Sequence, residues 1–496
     1  MFSDSASRSV GPRIEPGAMP ASDPADANGR PVSLTIVLGL LGAVDCLTIF
    51  VSGILTLLWP PLSYTVDWQA AALIVPFGSA IGVNFLYLCG CYRRVVLRDG
   101  GAAMSQTVTA WLISMTTVIA VVYLANEPAG GMRGWLILWA IVGLVALLTV
   151  RLMLRFQLRA WQRAGRLCEN VAIVGAGPLG QRLLRHLTTN PDPLIRIVGL
   201  YDDRLARLPP RCMGHALRGT VDDLVKDARE RRIDIVMVAL PLAADWRLAE
   251  IMNKLRLLPI DVRLPTDNFG LRLKDCRVSH VAGLAFLHAL DRPLRDWRLI
   301  AKDAEDRILS ALILLLIAPV LAIIALLIKL DSPGPVLFRQ KRFGFNNQLI
   351  EVFKFRTMYH HARDQNAEQL TRRNDPRVTT VGAILRRTSL DELPQFINVL
   401  RGEMSIVGPR PHATAAKAGG LLYQEAVKAY DARHRVKPGI TGWAQINGWR
   451  GETETTSQIT KRVEYDLYYI ENWSLLLDLT IIARTIPGML TSRYAY

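Results

Sequence analysis

The chain has 496 residues, half of them hydrophobic, and its 59 Lys and Arg against 43 Asp and Glu give a formal net charge of +16. This composition excludes a collagen-like chain, a disulfide-rich scaffold and a wholly disordered protein. It favours a membrane protein of about three domains whose basic side faces anionic lipid or anionic substrates. The six cysteines are scattered and lack zinc spacing, which favours a reducing compartment.

The first part of the chain combines a polar tail with a membrane unit. Residues 1–30 are rich in Ser, Ala, Pro, Asp and Gly, and we expect a disordered cytoplasmic tail rather than a signal peptide. Residues 31–156 predict four transmembrane helices, since four apolar segments are each long enough to cross roughly 30 Å of hydrocarbon. These segments are Val32–Trp59, Trp68–Cys91, Thr107–Ala125 and Trp135–Met153.

The basic residues of the connecting loops predict the orientation of this membrane unit. Three arginines lie between positions 93 and 98, after the second segment, and five lie between Arg151 and Arg166, at the end of the fourth. Because basic loops stay in the cytoplasm, we expect both ends of the unit to be inside. Asp45, in the first segment, is either a hydrogen-bonded polar group between helices or a functional intramembrane charge.

A fifth apolar run, Ile308–Ile328, is 21 residues long and uncharged. Lysine and arginine flank it on both sides, so both flanks are expected to be cytoplasmic, and a simple span cannot satisfy them. Pro319, near its middle, removes a helical hydrogen bond and bends the axis. We therefore predict a Pro-kinked re-entrant membrane helix; a true span and a buried core helix are the alternatives.

Residues 165–290 predict a Rossmann-like domain with a parallel sheet. A short apolar strand leads into Gly175-Ala-Gly177-Pro-Leu-Gly180 and a helical stretch, and a second strand ends at Asp202. This is the order of a dinucleotide-binding fingerprint, in which amides at the helix N-terminus hold a pyrophosphate. The tight turn alone also needs such glycines, so nucleotide binding is one of two interpretations of these four residues.

Residues 300–496 predict a small α+β domain suited to phosphate chemistry. Two expected strands, Val336–Arg342 and Leu349–Arg356, alternate so that their basic side chains share a face. Such a basic row suits a diphosphate, and a solvated strand face is the alternative. The apolar stretch Trp473–Leu490 is interrupted by Asp478 and is either an interfacial amphipathic helix or a core helix of this domain.

The candidate reactive carboxylates lie in one short run of this domain. Ser389 with Glu392 three residues later, before an apolar run, is typical of a capping box and predicts the start of a helix. Asp391 would then lie in the first helical turn, where the dipole favours negative charge and a phosphate can approach. With Arg386 and Arg410 nearby, we interpret Asp391 as a carboxylate nucleophile or metal ligand acting on a phosphate; structural capping alone would explain Ser389 and Glu392.

Several spaced motifs in this region resemble one known family, the bacterial sugar transferases. The chain is similar in particular to a large monotopic polyprenyl-phosphate hexose-1-phosphate transferase, of the undecaprenyl-phosphate glucose or galactose phosphotransferase type. The motifs are Ser332-Pro-Gly-Pro335, Lys354-Phe-Arg-Thr-Met358, Ser389-Leu-Asp-Glu-Leu-Pro-Gln395, Met404-Ser-Ile-Val-Gly-Pro-Arg-Pro411, Lys437-Pro-Gly-Ile-Thr-Gly-Trp-Ala-Gln445 and Arg462-Val-Glu-Tyr-Asp-Leu-Tyr-Tyr-Ile-Glu-Asn-Trp473. The predicted spans and the dinucleotide-like domain also match the long architecture of this family. One departure is Ala318-Pro319 at the helix break, where the family often has Ser-Pro.

The resemblance implies a ping-pong transfer of a sugar 1-phosphate. Asp391 would attack the sugar-bearing phosphate of a UDP-sugar and release UMP, and the phosphosugar–aspartyl intermediate would pass to undecaprenyl phosphate. Glu392, together with Asp391, would bind Mg²⁺, which neutralises charge on the transferring phosphoryl group. The family's phosphate-binding positions correspond to Lys354, Arg386, Arg410 and, less closely, Arg356.

The resemblance also implies a place and a role in the cell. We expect a multi-pass protein of the bacterial cytoplasmic membrane with its catalytic domain on the cytoplasmic face, and a role in the first step of exopolysaccharide or capsule assembly. UDP-glucose is the expected donor, with a galactose donor as the runner-up. Membrane lipid is an expected partner, nucleic acid is not, and a homodimer stays open.

Two rival functions stay open on the sequence. One is a membrane-tethered nucleotide-sugar epimerase or dehydratase that uses the middle domain, against which the missing Tyr-x-x-x-Lys pair counts. The other is a non-enzymatic membrane scaffold that senses a nucleotide, which leaves the carboxylates and arginines of 300–496 unexplained.

Overall fold

The computed structural model describes residues 32–59, 66–92, 100–125, 130–192, 194–205, 208–230, 233–241, 245–265, 278–281, 284–360, 375–412, 417–418, 421–427, 429–449 and 455–491. Within these residues the chain forms a helical unit, an α/β domain and a C-terminal α+β domain. The expected tail at 1–30 and the arginines between positions 93 and 98 lie outside them.

The described part of the N-terminal unit consists of long helices. They are α1 (Leu34–Leu57), α2 (Trp68–Leu88), α3 (Gly100–Ala125) and α4 (Gly130–Arg163). By length and composition alone, each is apolar enough to cross a membrane. The predicted apolar segments are therefore helical, but α3 begins at Gly100, before Thr107, and α4 continues past Met153 to Arg163, where no Pro or Gly interrupts the added turns.

Asp45 and Arg151 form a buried ion pair between α1 and α4. Arg151 Nη1 and Nη2 lie 3.0 and 2.7 Å from the two carboxylate oxygens of Asp45. Tyr92 Oη donates a further hydrogen bond to Asp45 at 2.8 Å. A charge among apolar helices needs such partners, since its desolvation is otherwise uncompensated. The structure therefore agrees with the interpretation of Asp45 as a hydrogen-bonded polar group between helices.

The middle domain is a mainly parallel sheet covered by helices. Its strands are β1 (Glu169–Val174), β2 (Ile195–Tyr201), β3 (Arg211–Cys212), β4 (His215–Gly219), β5 (Ile235–Val238), β6 (Asp261–Pro265), β7 (Val278–Val281) and β8 (Leu284–Leu290), and its helices are α5 (Pro178–Thr189), α6 (Val221–Glu230) and α7 (Asp245–Leu255). The strand order is β3-β4-β2-β1-β5-β6-β8-β7, with β1 parallel to both β2 and β5. The buried strand β1 packs on both faces, which explains its continuous apolar run. The predicted parallel α/β sheet is confirmed, with antiparallel strands at its edges.

The C-terminal domain is built from short elements around one long helix. They are α8 (Trp297–Asp331), β9 (Leu337–Phe343), β10 (Leu349–Phe355), α9 (Thr380–Thr388), α10 (Gln395–Leu400), β11 (Ser405–Val407), β12 (Lys417–Ala418), β13 (Leu421–Leu422), α11 (Tyr423–Ala426), β14 (Gly439–Thr441), α12 (Trp443–Ile446), α13 (Thr456–Glu471) and α14 (Leu475–Thr491). Among the described residues, 3₁₀ turns at Phe345–Asn347, Leu390–Glu392 and Tyr430–Arg435 join them. An apolar core that includes Val399, Met404 and Ile481 holds these elements together.

Helix α8 contacts the C-terminal domain at both of its ends. Near its start, the buried Asp306 accepts hydrogen bonds from Ile406 N at 2.9 Å and from Ser405 Oγ at 3.0 Å. Near its end, Ile328 packs in an apolar cluster with residues of β10 and α9. Most leucine and isoleucine side chains between these two points are exposed. The exposed apolar surface of α8 therefore lies in the middle of the helix.

A buried lysine links α8 to α14. Lys302 Nζ lies 2.7 Å from Asp478 Oδ2 and 3.1 Å from Asp306 Oδ1. Tyr469 Oη and Trp473 Nε1 donate to the same Asp478 carboxylate, at 2.8 and 2.9 Å. Because Asp478 is fully buried and paired, the first half of α14 is a core helix of this domain. This favours the second interpretation of the C-terminal apolar stretch.

Candidate functional site

The hairpin of β9 and β10 supplies the first basic side chain of the site. The two strands pair antiparallel, with Lys354 opposite Phe338 and Val352 opposite Gln340. Directly opposite residues share a face, so Lys354 lies on the same face as Gln340 and Arg342. This placement agrees with the predicted basic row.

Asp391 and Glu392 lie in a 3₁₀ turn, not at the start of an α-helix. Helix α9 ends just before Ser389, whose backbone is left-handed with φ 57° and ψ 16°, and α10 begins only at Gln395. The predicted capping box is therefore wrong: Ser389 ends a helix, and its side chain does not cap the following turn. A left-handed residue at a helix end reverses the chain, and charged partners outcompete a backbone amide for the Glu392 carboxylate.

Glu392 lies at the centre of an ionic cluster. Arg410 donates from Nη1 to Oε2 at 3.1 Å and from Nη2 to Oε1 at 2.5 Å, and Lys354 Nζ lies 2.8 Å from Oε1. Burial alone would raise the pKa of Glu392, but the charges and hydrogen bonds of Arg410 and Lys354 hold that pKa well below its usual range. Glu392 is therefore ionised, and it fixes two cations beside Asp391.

Asp391, its neighbour in sequence, is in a different state. In the described part of the chain, Lys354, Arg386 and Arg410 face Asp391 as charges, and none of them donates a hydrogen bond to it. Burial raises the pKa of Asp391 to about 6. The negative charge of Glu392 adds to this increase, and the three cations reduce it. The turn thus presents one tightly bound carboxylate and one carboxylate that is unbonded and more basic.

Arg386 brings a third cation to Asp391 from α9. Its Nε donates to Thr357 Oγ1 at 2.8 Å, which fixes the guanidinium at the end of β10. The positive charge of this guanidinium lowers the pKa of Asp391. The structure therefore brings Lys354, Arg386 and Arg410, three of the predicted phosphate-binding residues, around one carboxylate.

The fourth predicted phosphate-binding residue, Arg356, is directed elsewhere. Its guanidinium donates to three backbone carbonyls at the end of α8, those of Ile328, Ser332 and Pro333, at distances of 3.2, 2.7 and 2.8 Å. Carbonyls at a helix C-terminus lack intrahelical partners, so a buried guanidinium there stabilises the helix end. Arg356 thus anchors α8 to β10, while its role toward phosphate stays a prediction.

The hydrogen bonding of Asp391 and Glu392 limits where a divalent cation could bind. Among the described residues, no group of three or more His, Cys, Asp or Glu side chains is arranged to hold a metal ion. Both oxygens of Glu392 accept hydrogen bonds, from Lys354 and Arg410, whereas the Asp391 carboxylate accepts none from the part of the chain that the structure describes. Mg²⁺ often binds through one or two carboxylates, with phosphates and waters completing its shell. The Asp391 carboxylate could supply one oxygen ligand to Mg²⁺, and the metal roles of both Asp391 and Glu392 stay predictions.

The sequence did not point to four residues that support the loop carrying Arg410. Arg433 donates to Arg410 O at 2.9 Å and to Asp466 at 2.7 Å, and His412 lies between Arg433 and Arg462, 2.8 Å from each. Arg462 and Asp466 lie four residues apart in one family motif, which was the available signal. Arg433 and His412 have no local pattern, because their partners come from distant parts of the chain.

The glycine loop of the middle domain has its predicted shape, but its acidic residue is already bound. A Cβ on Gly180 would lie 1.8 Å from Gly175 O, so the close approach of loop and helix requires glycine. Asp202 Oδ2 accepts from Ala176 N at 2.9 Å and from Arg204 Nη2 at 3.0 Å, and Oδ1 accepts from Arg204 N and Nε at 3.0 and 3.1 Å. These contacts occupy the oxygens that a ribose would need. They favour the interpretation of the glycines as turn residues.

Asp202→Asn is expected to destabilise the middle domain and to leave the site around Asp391 intact. In the variant, an amide N–H donor replaces one of the carboxylate oxygens that accept hydrogen bonds from Ala176 and Arg204. Arg204 also lies next to Gly177, in the glycine loop. Losing such bonds costs about 1–3 kcal/mol. Thermal unfolding of the purified protein should show a lower transition than wild type.

The matched control for this prediction is Asp222→Asn, whose side chain is 67% exposed on α6. It should leave the transition unchanged, since exposed ion pairs contribute little. An Asp202→Asn variant that unfolds at the wild-type temperature would show that this carboxylate does not hold the loop.

Comparisons with known proteins agree on one family. Residues 297–492 match the family model described as bacterial sugar transferase, and residues 87–265 match one described as a CoA-binding domain. An undecaprenyl-phosphate glucose phosphotransferase of Komagataeibacter xylinus is 44% identical over 342 residues, covering 67% of this chain and 61% of that relative. A UDP-glucose:undecaprenyl-phosphate glucose-1-phosphate transferase of Escherichia coli (strain K12) is 40% identical over 386 residues, covering 78% of this chain and 81% of the relative. One of the same name from Xanthomonas campestris pv. campestris is 34% identical over 445 residues, covering 86% and 89%.

Proposed function

The chain belongs to the bacterial sugar transferase family, and from this we propose that it transfers glucose 1-phosphate from UDP-glucose to undecaprenyl phosphate. The products are undecaprenyl-diphosphate-glucose and UMP. The observation that carries the proposal is the turn at Asp391 and Glu392, where a carboxylate that accepts no hydrogen bond from the described residues lies beside cations held by its neighbour.

Two displacements at phosphorus account for the reaction. In the first, an Asp391 oxygen bonds to the sugar-bearing phosphorus, and the bond from that phosphorus to the bridging oxygen breaks, releasing UMP with the electron pair. In the second, a phosphate oxygen of undecaprenyl phosphate attacks the same phosphorus, and the bond to Asp391 breaks. The carboxylate is regenerated, so one side chain serves both half-reactions.

The surrounding cations suit the charge that develops during both steps. A UDP-sugar brings a diphosphate, and fork-like guanidiniums and ammonium groups neutralise phosphate oxygens. Lys354 and Arg410 are held by Glu392, and Arg386 is held by Thr357, so none of the three needs large reorganisation on binding. Mg²⁺, when bound at Asp391, would neutralise further charge on the phosphates.

Helix α8 supports the membrane placement that we propose. The two contact points, Asp306 and Ile328, lie 22 residues apart, about 33 Å along a straight helix, yet both contact the same small domain. A bend at Pro319 with the exposed middle in lipid accounts for both observations. The helix then enters and leaves the cytoplasmic leaflet of the inner membrane, and the site lies at the level of the lipid phosphate.

Glucose as the sugar, and polysaccharide assembly as the role, rest on the relatives. Several transferases similar to this chain are named for UDP-glucose, and two shorter relatives are named exopolysaccharide production proteins. A relative from Aeromonas hydrophila that is 42% identical over 191 residues is named for N-acetylgalactosamine. The choice of sugar therefore requires a direct test.

That test is a panel of UDP-sugars incubated with membranes containing the protein and undecaprenyl phosphate. Mass spectrometry of the lipid product should show undecaprenyl-diphosphate-hexose with UDP-glucose. A product with another sugar would retain the reaction and correct the donor, whereas no lipid product with any donor would refute the proposal.

The rival functions are less well supported. An epimerase or dehydratase would use the middle domain, where Asp202 is already bound by Arg204. A non-enzymatic scaffold does not explain why three cations lie around Asp391. Purified protein without bound NAD(P) would dismiss the first rival, and the lipid assay decides the second.

The rate is expected to fall below about pH 6. Burial raises the pKa of Asp391 to about 6, and only the ionised carboxylate attacks phosphorus. The value of kcat/KM should therefore be flat above this pKa and fall about tenfold per pH unit below it. The measurement is kcat/KM for UDP-glucose from about pH 5 to about pH 8.

Lys354→Gln provides the internal check on this assignment. Removing a cation that lowers the pKa of Asp391 should move the acidic limb to higher pH. If the limb stays in place in this variant, the group that titrates is not Asp391.

A further inference from the structure

The loop that carries Arg410 is held by side chains of two separate elements. Arg433, in the 3₁₀ turn Tyr430–Arg435, donates from Nη2 to Arg410 O at 2.9 Å. Arg342, in β9, donates from Nη1 to Pro411 O at 3.1 Å. With the carbonyls of Arg410 and Pro411 both held, Arg410 can aim both of its Nη atoms at Glu392.

His412 joins two of the guanidiniums behind this loop. Its Nδ1 lies 2.8 Å from Arg433 Nη1 and 2.9 Å from Tyr430 Oη, and its Nε2 lies 2.8 Å from Arg462 Nη1. The edge of its ring also contacts Tyr423, with the ring centroids 5.1 Å apart. Arg433 and Arg462 are 1% and 4% exposed, so their N–H groups depend on protein acceptors.

The ring of His412 is uncharged in this setting. Burial and the charges of Arg433, Arg462, Arg342 and Arg410 hold its pKa well below the usual range. A neutral imidazole offers a lone pair to donors such as guanidiniums, which a protonated ring does not. The neutral ring has one lone pair and one N–H, so it accepts at one nitrogen only, and we assign the lone pair to Nδ1, which faces Arg433.

We propose that His412 is a positioning residue for sugar-phosphate transfer: it keeps Arg433 on the Arg410 carbonyl, so that Arg410 stays directed at Glu392 and the substrate phosphate. This inference rests on the proposed function for the identity of the substrate. His412 does not touch Glu392 or Asp391 and acts only through Arg433 and Arg410.

The chain offers a matched pair of buried histidines for the test. His412→Phe keeps an aromatic ring and removes both nitrogens, so Arg433 loses its acceptor at Nδ1. His434→Phe makes the same change next to Arg433, at a ring whose Nδ1 has no hydrogen-bond partner among the described residues. Any effect of ring volume or hydrophobicity should appear in both variants, and the loss of the acceptor only in the first.

Two further variants identify the nitrogen that matters. Asn at position 412 places an oxygen near the Nδ1 position and keeps an acceptor for Arg433. Gln reaches further and places its oxygen near Nε2, beside Arg462. Because Arg433 is the residue that holds the Arg410 carbonyl, His412→Asn should retain function and His412→Gln should not.

The measurement is the exchange of labelled UMP into UDP-glucose, a half-reaction that needs no lipid acceptor. We expect KM for UDP-glucose to rise about tenfold in His412→Phe and in His412→Gln, the size of a lost charged hydrogen bond. His412→Asn and His434→Phe should stay within about twofold of wild type. A partly unfolded enzyme loses Vmax and keeps KM, so a rise in KM is not produced by a merely structural role.

Each alternative outcome bears on the proposal. An unchanged KM in His412→Phe, or a loss of Vmax alone in all variants, would overturn it. If wild type does not exchange UMP, the proposed function fails instead, and structures of wild type and His412→Phe decide the positioning role. Arg410 displaced from Glu392 in that variant would support it, and Arg410 in its present place would refute it.

Discussion

Asp391→Asn should abolish sugar-phosphate transfer, with a loss of about ten-thousandfold or more. An amide of the same shape keeps the turn and its neighbours, since none of the described residues donates a hydrogen bond to the Asp391 carboxylate. It does not supply the anionic oxygen that bonds to phosphorus. Exchange of labelled UMP into UDP-glucose and formation of the lipid product should disappear together, because one carboxylate serves both half-reactions.

Asp303→Asn provides the matched control for this variant in the same domain. The Asp303 carboxylate pairs with Arg307 at 2.8 Å and with Lys437 at 2.9 Å, away from the carboxylate turn. Its loss should lower activity by less than about threefold, as expected for a partly exposed ion pair. If Asp391→Asn retains exchange while its lipid product is lost, the nucleophile of the first step is another group.

Arg410→Met should give the second largest loss, about a hundredfold to a thousandfold in kcat/KM. The substitution removes the guanidinium that holds both oxygens of Glu392 and leaves that buried carboxylate with Lys354 alone. It also removes one of three cations that face the charge developing on phosphorus. Without it the pKa of Asp391 should rise, so the remaining activity should have an acidic limb at higher pH.

Two further substitutions test the reason for that loss. Arg410→Lys restores a point charge without the fork geometry, so it should recover part of the rate but not all of it. Arg401→Met removes an exposed guanidinium that lies over the Phe353 ring, 4.8 Å from its centroid, and should leave kcat/KM within about threefold of wild type. Equal activity of the Lys variant and wild type would show that the two-point contact with Glu392 is not needed.

Features carried by local patterns could be predicted from the sequence. The apolar segments became helices α1 to α4, the alternation around Lys354 became the hairpin of β9 and β10, and the glycine loop opened a parallel sheet. Periodicity and turn chemistry act over a few residues, so a single chain displays them directly.

At the 3₁₀ turn that carries Asp391 and Glu392, the local sequence pattern predicted the wrong structure. Ser389 followed by Glu392 has the spacing of a capping box, yet Ser389 adopts a left-handed conformation and Glu392 binds Arg410 and Lys354. Ion pairs between distant residues are worth more to a buried carboxylate than one backbone amide, and the sequence around position 389 does not contain them. The family motif identified Asp391 as a site residue, but the contacts around it could be identified only from the folded structure.

Contacts between residues far apart in the chain could not be predicted from the sequence, for the same reason. His412 meets Arg433 and Arg462, which are 21 and 50 positions away along the chain. In the middle domain the acidic residue was found, but its occupation by Arg204 depends on the path of the loop after β2. Such pairings arise from the fold as a whole, and no periodic pattern in the sequence predicts them.

The central claim is a covalent bond between Asp391 and a sugar phosphate. Protein mixed with UDP-glucose in the absence of undecaprenyl phosphate, quenched in acid and digested, can be examined by mass spectrometry. We predict one hexose phosphate on the peptide that contains Asp391, with about one UMP released per active site. Release of UMP only when undecaprenyl phosphate is present, with no modified peptide, would contradict the claim.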